Sequence, residues 1–150
     1  MYTEPRVVKL ITEALIPVRI HVKEDAEAWK KVSVDLGVQW TPTILILDHD
    51  GVERHRIEGF LPVDDFLAQL SLGLAKAAFS RGDFADAEKR FRSVVDAYPK
   101  TETAPEALYW AGVSRYKGTN DPTALRDTAR AFTERYQDSS WAKKSSVWKG

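Results

Sequence analysis

Residues 39–59 run QWTPTILILDHDGVERHRIEG, and this stretch predicts a β-hairpin whose first strand is buried. Ile44 to Leu47 is continuously apolar, which is typical of a strand covered on both faces. Asp50-Gly51 is a turn signal, and it leads to a second predicted strand around Val52 to Ile57. The acidic residues between Asp48 and Glu53 lack the ligand spacing of a calcium-binding loop, so we assign them to the turn.

Two helices and a further strand are predicted ahead of this hairpin. Pro5 to Leu15 has apolar residues at helical spacing, with proline at an early position. Apolar and polar residues alternate from Ile16 to Val22, which predicts a strand with one solvated face. Glu24 to Leu36 is again helical, and Gly37 is placed to end that helix in the left-handed conformation.

This order of elements, with Trp40-Thr41-Pro42-Thr43 and Gly59-Phe60, resembles the latter part of a thioredoxin domain, especially the bacterial kind with an appended helical tail. The resemblance implies an α/β fold: an incomplete thioredoxin-like domain over residues 1–80, with about three strands and flanking helices. It also implies that Pro42 is the family's cis-proline. In the family the residue before that proline offers its backbone to an extended peptide. The implied peptide-binding residues are Trp40, Thr41, Pro42, Gly59 and Phe60.

The departure from the family is as informative as the match. A whole thioredoxin domain has an N-terminal strand-helix-strand and a Cys-x-x-Cys ahead of the elements seen here, and this sequence contains no cysteine. The missing central strand would lie between Ile16 to Val22 and Thr43 to Leu47. Buried backbone groups need partners. We therefore expect the gap to be closed by direct pairing of the two flanking strands or by a strand from another copy of the chain.

The second half is predicted to be helical. Helices are expected from Pro62 to about Phe79, from Phe84 to Tyr98 after a stop and N-cap at Gly82-Asp83, and from Asp121-Pro122 to about Tyr136. Between the last two, Thr103 and Glu106 form a capping-box pattern and Gly118 is expected to end the helix. Ala87, Phe91 and Pro99 fall at the spacings of the tetratricopeptide consensus, and Ala75 and Ala78 fall at its small packing positions. Residues 63–150 thus resemble an all-α tetratricopeptide-like tail that shares its first helix with the domain before it.

An internal repeat supports this interpretation. Tyr98, Ala104 and Trp110 recur at one constant offset as Tyr136, Ala142 and Trp148. Two repeats are fewer than such arrays usually need, so we expect the tail to complete its core by packing against the first half of the chain. The tryptophans Trp110, Trp141 and Trp148 are candidates for a peptide-binding surface, although packing between helices is the favoured explanation.

Composition excludes several classes of partner and site. Lys plus Arg total 22 and Asp plus Glu total 22, so no net charge favours nucleic acid or an anionic membrane. No apolar run is long enough for a membrane span, and we expect a cytoplasmic protein. His21, His49 and His55 lack the spacing of metal ligands, and His21 and His55 are predicted on solvated strand faces. We predict no metal, no cofactor and no catalytic residue.

Three functions remain. The first is a non-catalytic scaffold or binding module with a protein or peptide partner. The second is the rear part of a longer thioredoxin-like disulfide reductase whose Cys-x-x-Cys lies upstream of this chain. As given, the chain has no thiol and cannot be such an enzyme. The third is an oligomerisation module that forms a homo-oligomer and binds no other ligand.

Overall fold

A two-stranded hairpin and seven α-helices make up the part of the chain that the computed structural model describes, residues 2–150. The hairpin follows two short helices and precedes a continuous helical array. In chain order the elements are α1 (Pro5–Ala14), α2 (Ala26–Asp35), β1 (Thr43–Leu47), β2 (Glu53–Glu58), α3 (Val63–Ser80), α4 (Phe84–Ala97), α5 (Thr103–Thr119), α6 (Thr123–Glu134) and α7 (Ser140–Ser145), with a final 3-10 turn at Ser146–Trp148.

The predicted hairpin is confirmed, but the prediction that its first strand is buried on both faces is wrong, because Ile46 is the only buried residue of β1 and Leu47 is 42% exposed. β1 and β2 pair antiparallel, with Ile44 opposite Ile57 and Ile46 opposite His55, and the register shifts after Ile46. The carboxylate of Asp48 organises the turn: its Oδ1 accepts the backbone N–H groups of Asp50 and Val52, at 3.0 Å each. A carboxylate that satisfies turn amides in this way replaces the backbone partners that a loop lacks.

The other edge of β1 has no partner within residues 2–150. The backbone N–H of Gly59 donates to the carbonyl of Pro42 at 2.8 Å, and that of Asp48 donates to the carbonyl of Val52 at 3.0 Å. In an antiparallel pair the bonded positions alternate, so the even-numbered residues of β1 face β2. The N–H and C=O groups of Thr43 and Leu45 therefore point away from β2, toward an open edge.

The third predicted strand is wrong. Residues 15–21 form no regular element, and Ile16 and Val18 are 94% and 82% exposed. Direct pairing between this segment and β1 is therefore wrong as well, since β1 pairs with β2 alone. An alternating pattern gives a strand only when a neighbouring strand supplies hydrogen bonds, and none of the described residues does so here.

Helix α2 has no buried residue. It is tied to the hairpin at its C-terminal end, where the guanidinium of Arg56 donates to the carbonyls of Leu36 and Gly37. A helix this short is marginal without an apolar face packed on a neighbour. The segment from residue 15 to Leu36 is thus the least supported part of the fold.

Helix α3 carries two apolar clusters. At its N-terminal end Phe66, Leu67 and Leu70 pack with Val7 of α1 and with Ile46 and Ile57 of the hairpin. Further along, Ala68, Leu72, Ala75 and Ala78 belong to the larger cluster of the helical tail, which also holds Ala87, Phe91, Val94, Ala107, Ala111 and Phe132. Because one helix serves both clusters, the two halves share a continuous core.

Two predicted helix boundaries are corrected. Thr103 and Glu106 form no capping box: Thr103 is the first residue of α5, where its Oγ1 accepts a hydrogen bond from Gln69, and Glu106 pairs with Lys76. Both side chains bind residues of α3, and the local sequence around Thr103 and Glu106 does not reveal these partners. Gly118 lies inside α5, and Asn120 instead ends that helix in the left-handed region, with φ of 57°.

Candidate functional site

The five residues implied as a peptide site lie at one end of the hairpin. The Thr41–Pro42 peptide bond is cis, which confirms the resemblance at that bond. Gly59, with φ of 85°, donates its N–H to Pro42, so the residue that follows β2 lies directly beside the residue that precedes β1. The hydroxyl of Thr43 donates to the carbonyl of Trp40 at 2.6 Å and fixes the bend of that loop.

Two aromatic side chains at this end are left in solvent. Trp40 is 67% exposed and Phe60 is 77% exposed. Neither belongs to the two buried clusters or to the close aromatic pairs found within the described chain. Large aromatic side chains that stay mostly exposed in the free protein are typical of binding surfaces.

The open edge of β1 begins at the same place. Thr43 directly follows Pro42, and the unpaired backbone groups of Thr43 and Leu45 continue from the exposed loop along the strand. We call the residues Trp40, Thr41, Pro42, Gly59 and Phe60, with the open β1 edge, the hairpin-end surface. An extended chain laid against this edge would find unpaired main-chain groups directly after the loop that carries Trp40, while Phe60 follows β2 on the other side of β1.

The three tryptophans of the tail contact other aromatics. Trp110 meets Phe79 edge-to-face at 5.4 Å between ring centroids, and Trp148 stacks on Tyr109 at 4.8 Å. Trp141 packs against Tyr109 at 5.1 Å. Packing between helices therefore accounts for much of their surface. Their role as a binding surface stays a prediction, and the buried Nε1 of Trp110 lacks a hydrogen-bond partner.

A chain of polar side chains links the hairpin to the tail. His55 Nε2 lies 2.5 Å from Gln69 Oε1, and Gln69 Nε2 donates to Thr103 Oγ1 at 3.0 Å. On the other side of the ring, Lys76 Nζ lies 3.5 Å from His55 Nδ1 and 3.0 Å from Glu106 Oε1. We call these five residues the His55 chain.

The predicted solvated position of His55 is wrong. Its ring faces α3, and burial lowers the pKa of His55 from its usual 6.5, although the hydrogen bond to Gln69 acts in the opposite direction. His21 is not on a strand either, because residues 15–21 form no regular element. Its Nδ1 accepts the backbone N–H groups of Lys23 and Glu24. Sequence reasoning missed the His55 chain. The available signal was polar residues at helical spacing, Gln69 and Lys76, in an otherwise apolar helix.

Within residues 2–150, no three His, Asp or Glu side chains are grouped so that they could hold a metal ion. No helix in the same range has the length and apolar character to cross a membrane.

The two halves of the chain match two different family models. Residues 2–73 match the family model of a thioredoxin-like domain. Residues 69–101 and 106–139 match the family model of a tetratricopeptide repeat, so two repeats follow the first match with a short overlap on α3. No curated protein and no solved structure matches the chain.

Proposed function

We propose that this chain, a partial thioredoxin-like domain followed by two tetratricopeptide repeats, is a non-catalytic protein-binding module whose hairpin-end surface takes an extended peptide. Tetratricopeptide arrays form extended surfaces suited to binding. The observation that carries the proposal is the coincidence of exposed Trp40 and Phe60 with an unpaired strand edge.

Strand addition is the binding mode that this surface favours. A peptide that lies along β1 would exchange main-chain hydrogen bonds with Thr43 and Leu45, and its alternate side chains would point to opposite faces of the enlarged sheet. One of them would meet the aromatic rings at the loop. Main-chain bonds supply affinity for many sequences, while the aromatic contacts select apolar side chains at one position.

The proposed module does not catalyse thiol-disulfide exchange. Thiol-disulfide exchange needs a thiolate, and the sequence has no cysteine. We expect the chain to leave the rate of insulin reduction by dithiothreitol at its uncatalysed value. A rate clearly above that value would contradict this part of the proposal.

The binding test uses a peptide array. Random twelve-residue peptides are screened against the whole chain, and the strongest binders are measured in solution by fluorescence anisotropy. Trp40→Ala and Phe60→Ala should each weaken binding by at least about tenfold, as expected for aromatic anchors. Val147→Ala is the matched control, because Val147 is also 77% exposed but lies at the far end of the chain.

Leu45→Pro tests the edge separately. It removes an N–H that points away from β2, so pairing between the strands should survive while peptide affinity falls. Peptides that bind Trp40→Ala, Phe60→Ala and Leu45→Pro as well as the unaltered chain would contradict the proposed site.

A second copy of the chain is the competing occupant of the edge. Each copy carries an open β1 edge and a segment without regular structure at 16–22, in which apolar and polar residues alternate, and an unpaired edge is a template for pairing with another chain. Light scattering over a range of concentrations separates the two. A stable dimer broken by Leu45→Pro would favour self-association, and a monomer at high concentration would exclude it.

A second candidate function is supported by the thioredoxin-like match itself. The chain would then be the rear part of a disulfide reductase whose Cys-x-x-Cys lies upstream. The coding frame ahead of Met1 decides this: a continuous frame encoding Cys-x-x-Cys would favour the reductase, and a stop codon immediately upstream would exclude it.

A further inference from the structure

His55 lies where the hairpin and α3 come closest. Gly73 is buried, and a Cβ on it would overlap Ile46 Cδ1 and approach the Cβ of His55 to 3.0 Å. Gln69 and Lys76 lie four residues before and three residues after Gly73, so all three share one stripe of α3. The imidazole is therefore confined between two polar side chains, with little freedom to turn elsewhere.

The donors and acceptors fix the protonation state of the ring. Lys76 has only donors to offer, so His55 Nδ1 must be the acceptor and Nε2 must carry the proton. Nε2 then donates to Gln69 Oε1, which leaves the amide nitrogen of Gln69 to donate to Thr103 Oγ1. Every contact in the His55 chain is satisfied by one neutral tautomer.

We propose that the His55 chain is a proton-sensitive latch that attaches the hairpin to the tetratricopeptide repeats and weakens at mildly acidic pH. Protonation converts Nδ1 from an acceptor into a donor, and the new N–H would face the ammonium of Lys76 at 3.5 Å. The hydrogen bond from Lys76 is lost, and two cations oppose each other in a partly buried site. Either the ring or Lys76 must move away, and Lys76 is also the link to Glu106 on α5.

The charged groups around the ring determine the direction of the effect. Burial and the charge of Lys76 lower the pKa of His55, while the hydrogen bond to Gln69 and the charges of Glu106 and Glu53 raise it, and the lowering effects prevail. The folded state therefore favours the neutral ring. Above the usual pKa of 6.5 the ring is neutral in both states, and stability is at its full value.

Below that pH the unfolded chain takes up its proton first. The free energy of unfolding therefore decreases as the pH falls below 6.5, until the lowered pKa of the folded state is passed. The apolar contacts of Ile46 and Ile57 with α3 remain, so the hairpin is loosened rather than lost. Because Trp40 and Phe60 do not belong to the His55 chain, the latch does not depend on whether the hairpin-end surface binds a peptide.

The test combines ring titration with hydrogen exchange. In NMR titrations of the whole chain, His55 should titrate below 6.5. After correction for intrinsic exchange rates, the protection of the Ile44 and Ile57 amides should fall between about pH 8 and about pH 5. The fold-decrease in protection should approach the acid dissociation constant of the His55 ring in the folded chain divided by that in the unfolded chain.

His55→Gln is the decisive variant, because its amide can donate to Gln69 and accept from Lys76 without titrating. It should remove the pH dependence of hairpin protection, whereas His49→Gln should keep it. If His55→Gln fails to fold, the titration of the unaltered chain decides alone. A His55 ring that titrates at or above 6.5, or a pH response that persists in His55→Gln, would overturn the latch.

Discussion

The helical tail and the segment from residue 15 to Leu36 obey the same physical rules with opposite results. In the tail, α3, α4 and α5 share a cluster of alanine, leucine and valine side chains around Phe91, and all of them are almost fully buried. In the earlier segment, α2 buries nothing and Ile16 and Val18 lie in solvent. Both regions have amphipathic sequences. The difference shows that a periodic pattern leads to a packed core only where a partner surface is present, since α2 forms its helix and still buries no residue.

The largest expected effect comes from breaking the better packed region. Phe91 of α4 is 0% exposed and lies in the cluster that joins α3, α4 and α5. Phe91→Ala should lower the free energy of unfolding by about 3–5 kcal/mol, from lost burial and the cavity left behind. Urea denaturation followed by circular dichroism measures this change. A loss below about 1 kcal/mol would mean that the tail is packed more loosely than its contacts indicate.

A smaller effect tests how closely the two helices of the second repeat, α5 and α6, pack against each other. A Cβ at Gly112 of α5 would overlap Thr128 on α6, whose hydroxyl is already bonded to the carbonyl of Ala124 at 2.7 Å. Gly112→Ala should therefore cost about 1–3 kcal/mol, despite the higher helix propensity of alanine.

Gly118→Ala is the matched control in the same helix. Its added Cβ would meet only Phe84 Cβ, at 3.3 Å, where a small shift suffices. Thermal unfolding of the two variants should separate clearly, with Gly118→Ala close to the unaltered chain. Equal destabilisation by both would contradict the close approach of α5 and α6.

The smallest effect is expected in the unsupported segment. Ile16→Ser and Val18→Ser replace side chains that are 94% and 82% exposed, so each should change the unfolding free energy by less than about 0.5 kcal/mol. Urea titrations at low protein concentration check this. A loss of about 2 kcal/mol from either variant would show that the segment is buried in solution, for example against a second copy of the chain.

The sequence predicts elements whose partners are close along the chain. Turn residues predicted the hairpin, and helical periodicity predicted the helices of the tail. The family resemblance predicted the cis bond before Pro42. The candidate residues at the hairpin end were also found this way, and the structure brings Pro42 and Gly59 into contact.

The predictions from sequence were wrong where a residue far away along the chain determines the local structure. Thr103 matches a capping box, yet Gln69 on another helix binds its hydroxyl. His55 matches a solvated strand position, yet α3 covers it. Ile16 to Val22 alternates as a strand does, yet no strand lies beside it among residues 2–150. Sequence periodicity describes a face of an element and leaves the neighbour of that face undetermined.

Residue-resolved hydrogen exchange of β1 tests the central claim most directly, because the proposed binding surface requires an open edge. In the free chain, the amides of Ile44 and Ile46 should be protected by β2, while those of Thr43 and Leu45 should exchange at nearly unprotected rates. Adding a peptide selected from the array should slow Thr43 and Leu45. Uniform protection along β1 without peptide, or unchanged exchange of Thr43 and Leu45 when the peptide is bound, would contradict the account.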